Sequence, residues 1–102
     1  MTPRSVPTAS RGIRVSATCP LVHRCPHVDE LDVGEVTLSW VTTTVTIELH
    51  SLAAHLSTYA EAVVSHEDLA QRLVEVLAAC GVAEPSVASS WSTAGFAVDV
   101  RT

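Results

Sequence analysis

The stretch from Ser65 to Gly81, SHEDLAQRLVEVLAACG, carries the strongest structural pattern in this chain. Its apolar residues recur at steps of three and four, which places them on one face of a helix. Ser65 followed by Asp68 is similar to a capping box, and Gly81 with Pro85 beyond it ends the helix. The sequence therefore predicts an amphipathic helix whose apolar face is buried in the core. That face is formed by Leu69, Leu73, Val76, Leu77 and Cys80.

Strand patterns precede this helix. Ile13 and Val15 alternate with polar residues, as in a half-buried strand, and Pro20 is expected to end it. From Glu35 to Ile47 the apolar residues sit among β-branched threonines, which favours strand. We predict a single bent strand there, with a hairpin about residues 42–44 as the alternative.

The remaining segments complete an α+β pattern. Glu48 to about Ala62 has leucines at helical spacing, and Ser86–Trp91 and Ala94–Val100 are predicted to be short strands. The order strand, strand, helix, helix, strand, strand favours an antiparallel sheet with two helices on one face, and a partner subunit is the natural cover for the other face. Residues 1–10, rich in Pro, Ser and Thr, are expected to be a flexible tail before a single domain over residues 11–102.

Composition and charge exclude several classes of function. No apolar run approaches the roughly 20 residues of a membrane-spanning helix, and without an export signal we expect a cytoplasmic protein. The net charge of -5 disfavours extended nucleic-acid binding, although four of the six basic residues lie in the first quarter of the chain, where a local phosphate contact stays open. All six basic residues are arginine, so the chain contains no lysine.

Cys25 lies in a predicted loop between Pro20 and Gly34, beside Arg24 and two histidines. Cationic neighbours favour the thiolate, so Cys25 is a candidate nucleophile, although an inert half-buried cysteine would explain the same residues. Zinc binding by Cys19, His23, Cys25 and His27 is a third interpretation, which we disfavour because four ligands within nine residues would be sterically crowded.

The acidic candidates have ordinary explanations when each is taken alone. Asp32 before Val33-Gly34 is typical of a turn, and Glu67 suits the first turn of a helix. Their spacing is more specific, since Asp32 follows Cys25 by seven residues and the other motifs come in a fixed order. That order resembles the 7-cyano-7-deazaguanine reductase (QueF) family over about Cys19 to Asp99, through Cys25-Pro26, Asp32, Glu48 with Ser51-Leu52, and His66-Glu67-Asp68.

The resemblance implies a tunnelling fold, in which several subunits close their sheets into a barrel with active sites at the interfaces. A homo-oligomer is therefore expected, with a decamer as one arrangement. The resemblance also implies residue roles. Cys25 would add to the nitrile carbon of 7-cyano-7-deazaguanine (preQ0) to give a thioimide, and Asp32 would protonate the nitrile nitrogen. The substrate-binding residues would be His66, Glu67, Glu48 and Ser51.

Two segments of this chain differ from the motifs of the reductases, and the differences bear on which reaction follows formation of the thioimide. The reductases hold the NADPH phosphates with lysines in the segment that matches residues 48–55, where this chain has His50 and Ala53. They also carry an arginine and paired glycines where this chain reads Trp91 to Phe96 with one glycine. We therefore expect no NADPH. Because the candidate zinc ligands are crowded, we expect no metal cofactor either.

Short QueF-like amidinotransferases of archaeosine formation are more similar to this chain, and the resemblance implies that ammonia resolves the thioimide to a formamidine. Their substrate is modified tRNA, which the net charge of -5 does not favour here, so a free base, nucleoside or nucleotide is equally plausible. Two alternatives stay open. One is an NADPH-dependent nitrile reductase with a degenerate cofactor site, and the other is a non-catalytic module that binds the deazaguanine.

Overall fold

A computed structural model describes residues 2–102 of the chain, so that Met1 of the predicted tail lies outside the described residues. A short 3-10 helix, Thr58–Glu61, follows the first of two α-helices. The regular elements, in chain order, are β1 (Ser5–Pro7), β2 (Arg14–Arg24), β3 (Leu31–Val41), β4 (Val45–Ile47), α1 (Leu49–Ser57), α2 (His66–Ala79), β5 (Ala83–Thr93) and β6 (Phe96–Arg101).

The main sheet is built around β3. It has four antiparallel strands in the order β2-β3-β5-β6, and β1 pairs separately with β4. Alternate residues of β3 point to one face, where Val36, Leu38 and Trp40 are almost fully buried. The facing positions of β5 include Val87 and Trp91, which are also buried. One face of the sheet is therefore the floor of the core.

Both helices contribute to that same core. Leu52 and Leu56 of α1 and Leu69, Leu73 and Leu77 of α2 are buried in one cluster with the inward side chains of β3 and β5. The opposite face of the sheet carries polar side chains along the middle of β2 and β3, where cross-strand hydroxyl pairs such as Thr18 with Thr37 are exposed. The predicted α+β arrangement of two helices over an antiparallel sheet is confirmed.

The helix boundaries follow from their caps. The Ser65 hydroxyl accepts a hydrogen bond from the Asp68 N–H at the start of α2, as predicted from the sequence. After α2, Gly81 has a φ of 84°, a left-handed conformation that glycine adopts without a Cβ clash. None of the described helices has the length and apolar character needed to cross a membrane.

The structure corrects three boundaries. Pro20 lies inside β2, where it is tolerated because β2 is an edge strand of its sheet. The segment from Glu35 to Ile47 is two strands, because the chain turns at residues 42–44 and β4 leaves to pair with β1. Ser5–Pro7 forms that partner strand, so this part of the expected flexible tail is ordered against Val45–Ile47.

Candidate functional site

A cavity of about 250 Å³ opens at one end of the sheet. Three parts of the chain meet there: the β2–β3 hairpin, the first turn of α2 and the end of β5. The hairpin register places His23 directly opposite Asp32, with both side chains on the core face. The cavity is lined by His23, Cys25, Pro26, His27, Asp32, Ser65, His66, Glu67 and Thr93.

Cys25 is the first residue after β2, and its neighbourhood is fixed by backbone hydrogen bonds. The Arg24 N–H donates to the Ala62 carbonyl at 2.9 Å, and the Arg24 carbonyl accepts from the Val64 N–H at 3.2 Å. The Cys25 N–H in turn donates to the Glu30 carbonyl at 3.0 Å, which closes the hairpin loop. The thiol is half-buried, so it is positioned at the cavity and still accessible.

Asp32 is 7% exposed, and its two carboxylate oxygens have different surroundings. Oδ1 accepts a hydrogen bond from the Thr93 hydroxyl at 3.4 Å. Oδ2 lies 3.2 Å from Nε2 of His66 and 3.7 Å from Nε2 of His23. The Asp32 carboxyl group is therefore buried at the cavity, and both of its oxygens face polar side chains.

Trp91 supports the two histidines. Its ring stacks on His66 at 4.5 Å between centroids with an angle of 5° between the planes, and it meets the His23 ring edge-on at 4.7 Å. The indole N–H donates to the Ser89 hydroxyl at 2.9 Å, which fixes the orientation of the ring. The imidazoles at the cavity are therefore held by aromatic packing from beneath.

Four of the six site residues predicted from the sequence line this one cavity: Cys25, Asp32, His66 and Glu67. Asp32 is not in a loop as predicted, since it belongs to β3 and is paired with His23 of β2. Glu67 is exposed at the start of α2, whereas His66 is mostly buried against Trp91.

Glu48 and Ser51 do not join them within one chain. Glu48 caps α1 by accepting the Ser51 N–H, and the Ser51 hydroxyl accepts from the Arg4 N–H at 2.8 Å. This backbone hydrogen bond from Ser51 lowers the pKa of the Glu48 carboxyl below its ordinary value. Ser51 lines a separate cleft with Arg4 and His50, so in this chain the pair is a helix cap rather than part of the cavity around Cys25.

The other two cysteines lie elsewhere. Cys19 lines an apolar cleft beside Ala53 and Leu56 of α1, and Cys80 is buried at the end of α2. Burial raises the pKa of both thiols, and the Glu35 carboxylate adds to the effect at Cys19. Neither thiol borders the cavity around Cys25, so the four-residue zinc set considered from the sequence is not assembled there.

Three residues of the site were not assigned to it from the sequence. Thr93 falls between the two strands predicted near the C-terminus, and Trp91 is predicted only as the end of the first of them. His23 is predicted only as a neighbour of Cys25 and as one of the four disfavoured zinc ligands. Period-two alternation in β2 puts His23 on the same face as Leu21, so a polar residue on a core face was the available signal. Trp91 and Thr93 could be assigned only once the register of β5 against β3 was known.

A search of solved structures finds a strong likeness to an archaeosine synthase, described as QueF-Like, in its apo crystal form. The TM-score is 0.82, the sequence identity is 22%, and the match covers 87% of this chain and 90% of that one. This likeness confirms the predicted tunnelling-fold architecture of the subunit. No family model and no curated protein sequence matches the chain.

Proposed function

We propose that this chain is a cytoplasmic QueF-like enzyme that converts the nitrile of a 7-cyano-7-deazaguanine compound through a thioimide on Cys25. The observation that carries the proposal is the meeting of Cys25, Asp32 and Glu67 at one cavity, although they come from three separate parts of the sequence. The motif resemblance and the fold of the QueF-like archaeosine synthase support the same assignment.

In the first step, the Cys25 thiol adds across the carbon–nitrogen triple bond. The sulfur forms a bond to the nitrile carbon, and the nitrile nitrogen takes up a proton, so that no atom is lost. A nitrile is a weak electrophile, and a positioned thiol with a proton donor divides a difficult addition into smaller steps. Asp32 is the proposed donor, and its contacts with His66 and Thr93 hold the carboxyl group at the cavity.

In the second step, ammonia attacks the thioimide carbon and the sulfur leaves as the Cys25 thiol. The net reaction adds ammonia to the nitrile and gives an amidine, without a change in oxidation state. We prefer this outcome to reduction because the segment that would bind the NADPH phosphates, residues 48–55, has no basic residue other than histidine. A dinucleotide phosphate is bound by fixed cations or by a free helix N-terminus. The N-terminus of α1 is not free, because the Glu48 carboxylate caps it.

Glu67 and His66 are the proposed contacts to the base. The Glu67 carboxylate is exposed at the cavity, where it can accept hydrogen bonds from the N–H groups of a guanine-like edge. The base would cover this carboxylate and exclude water from it. Binding of this kind would orient the nitrile toward Cys25, which borders the same cavity.

Subunit association would complete the site. Several apolar side chains near the cavity end of the sheet are half or more exposed, among them Leu31 at 51%, Val33 at 61%, Val63 at 62% and Phe96 at 70%. Exposed apolar side chains of this size suit an interface between subunits. In such an assembly Glu48 and Ser51 of one subunit would contribute to the site of a neighbour, since the motif resemblance implies that they bind substrate and that active sites lie at the interfaces.

The test is mass spectrometry of the intact protein mixed with 7-cyano-7-deazaguanine. We expect a single adduct with the mass of the nitrile compound, its loss in Cys25→Ala, and its retention in the matched variants Cys19→Ala and Cys80→Ala. Addition of ammonia should then release the amidine. An adduct on Cys19 or Cys80, or no adduct at all, would contradict the proposal. Binding without an adduct would instead favour a non-catalytic binding module.

A further inference from the structure

His23 has a buried ring nitrogen that lacks a hydrogen-bond partner among residues 2–102. The side chain is fully buried, and its Nε2 atom contacts no donor or acceptor at hydrogen-bond distance. A buried polar atom without a hydrogen-bond partner destabilises the folded protein. The position of this atom therefore calls for an explanation.

The protonation of His23 follows from its other nitrogen. Nδ1 lies 3.1 Å from the Arg24 carbonyl oxygen, which can only accept, so Nδ1 carries the proton. In the neutral ring Nε2 then carries a lone pair and can only accept a hydrogen bond. It faces Oδ2 of Asp32, and an ionised carboxylate oxygen is likewise only an acceptor. Two acceptors that face each other at 3.7 Å are stabilised by a cation between them.

His66 provides a third atom that could bind a metal ion beside Asp32 Oδ2. Its Nε2 is 3.2 Å from the same Oδ2, and the three atoms all lie within 4.8 Å of one another. Ligands bound at about 2.0–2.1 Å to a tetrahedral ion are about 3.3 Å apart. The separations of 3.2 Å and 3.7 Å are close to that value.

The surroundings of the three side chains are those of metal ligands. A metal-binding histidine usually donates its second ring N–H to a backbone carbonyl or carboxylate, as His23 does to Arg24. The Thr93 hydroxyl bonds the Asp32 oxygen that faces away from the imidazoles and leaves Oδ2 available. Trp91 holds the His66 ring by stacking.

We propose that His23, Asp32 and His66 form a site for one divalent transition-metal ion of the zinc class. Two imidazoles and one carboxylate suit zinc or cobalt better than magnesium or calcium, which prefer oxygen ligands. Because the three residues border the cavity, a coordination position stays open toward it. The ion would occupy the place of the proton that Asp32 donates in the nitrile reaction, so metal and proton compete for one position. The metal site itself does not depend on that reaction.

Cobalt(II) chloride added to metal-free protein tests the site, since tetrahedral cobalt absorbs visible light. We expect one ion per chain, displacement by zinc, and loss of binding in His23→Ala and in the shape-preserving Asp32→Asn. Thr93→Val, which removes only the hydrogen bond to Oδ1, should weaken binding by about tenfold to 100-fold. His50→Ala, which alters an exposed histidine outside the cavity, is the matched control and should bind as the unmodified protein does.

Three results would overturn the proposal. They are an absence of stoichiometric cobalt binding, unchanged binding in both folded variants of His23 and Asp32, and a strong thiolate absorption in the near ultraviolet that disappears in Cys25→Ala. The last would show that Cys25 holds the ion. Circular dichroism of each variant identifies loss of folding, and the nitrile adduct on Cys25 is measured separately in metal-free protein.

Discussion

Gly34 of β3 lies directly opposite Trp91 of β5, and the indole ring fills the space that a side chain at residue 34 would occupy. A Cβ atom on Gly34 would come within 2.5 Å of Cε3 of Trp91 and would also collide with the Ser90 carbonyl. The missing side chain therefore allows Trp91 to lie beneath His23 and His66. A glycine in a central strand is thus part of the support for the candidate site.

Gly34→Ala should destabilise the protein by about 1–3 kcal/mol, the usual range for overpacking a core. Because the Trp91 ring must move, His66 should lose its stacking partner and the Cys25 adduct should form more slowly. The measurement is urea unfolding together with the rate of adduct formation. Glu35→Gln, at the neighbouring exposed position, should change stability by less than about 0.5 kcal/mol, and equal effects of the two variants would contradict the packing argument.

Glu48→Gln should lower stability at neutral pH and have little effect in acid. The Ser51 N–H holds the pKa of the folded Glu48 carboxyl below that of the unfolded chain. Its stabilisation is therefore fully present above the unfolded pKa and is lost as the pH falls through the folded pKa. Thermal unfolding of both proteins between pH 3 and pH 7 measures the difference, and Glu75→Gln on the exposed side of α2 is the control. A difference that persists at the lowest pH would argue against the cap.

Cys25 should react with iodoacetamide before the other two cysteines. Burial raises the pKa of Cys19 and of Cys80, so at pH 8 both have a smaller thiolate fraction than an ordinary cysteine, and their labelling should increase as the pH is raised. Cys25 is half-buried at an open cavity. Peptide mass spectrometry over pH 7–10 gives the order in which the three cysteines are labelled. Unfolding in urea should abolish the differences between their labelling rates. Equal labelling rates in the folded protein would be inconsistent with the structure.

Much of the fold could be predicted from local patterns. The stripe and caps of α2 are properties of a continuous segment, and they identified both its start at Ser65 and its end near Gly81. The strand β1 could not be identified in this way, since Ser5–Pro7 has no strand pattern and is ordered by pairing with β4. Pro20 in β2 depends likewise on an edge position that only the complete sheet defines.

The candidate site likewise combines residues that motif spacing identified with contacts that only the fold could reveal. Cys25, Asp32, His66 and Glu67 were found because their types and spacing resemble a known set of motifs. The contacts of Asp32 with His23 and Thr93 depend on the registers of three strands, which one-dimensional spacing does not contain. Glu48 and Ser51 matched the motif but lie at another cleft of the same chain, which only the fold could reveal.

Glu67→Gln should weaken binding of the deazaguanine by about 2 kcal/mol or more, because one carboxylate acceptor becomes a donor that faces donors on the base. The Cys25 thiol should keep its reactivity toward iodoacetamide, since Cys25 is positioned by backbone hydrogen bonds of the β2–β3 hairpin and not by Glu67. Isothermal calorimetry with Cys25→Ala as the background separates binding from adduct formation. Asp68→Asn, one residue along the same helical turn and outside the cavity lining, is the control. Unchanged affinity in Glu67→Gln would mean that the base is held elsewhere.

The protein should neither bind NADPH at micromolar concentrations nor reduce the nitrile. The phosphates of a dinucleotide need fixed cations or free backbone donors, and the chain has no lysine. Of its six arginines, Arg72 lies on α2 and Arg101 ends β6, while Arg24 is paired with Asp29 and Glu61. The remaining three belong to the first fourteen residues, ahead of the loop that carries Cys25.

With no hydride source, a thioimide can be resolved by ammonia or water, so an amidine or amide should accumulate. NADPH absorbance at 340 nm, followed together with the product mass, measures both outcomes, and the same mixture without nitrile is the control. Nitrile-dependent oxidation of NADPH with formation of an amine would show that the charge argument fails and that the enzyme is a reductase.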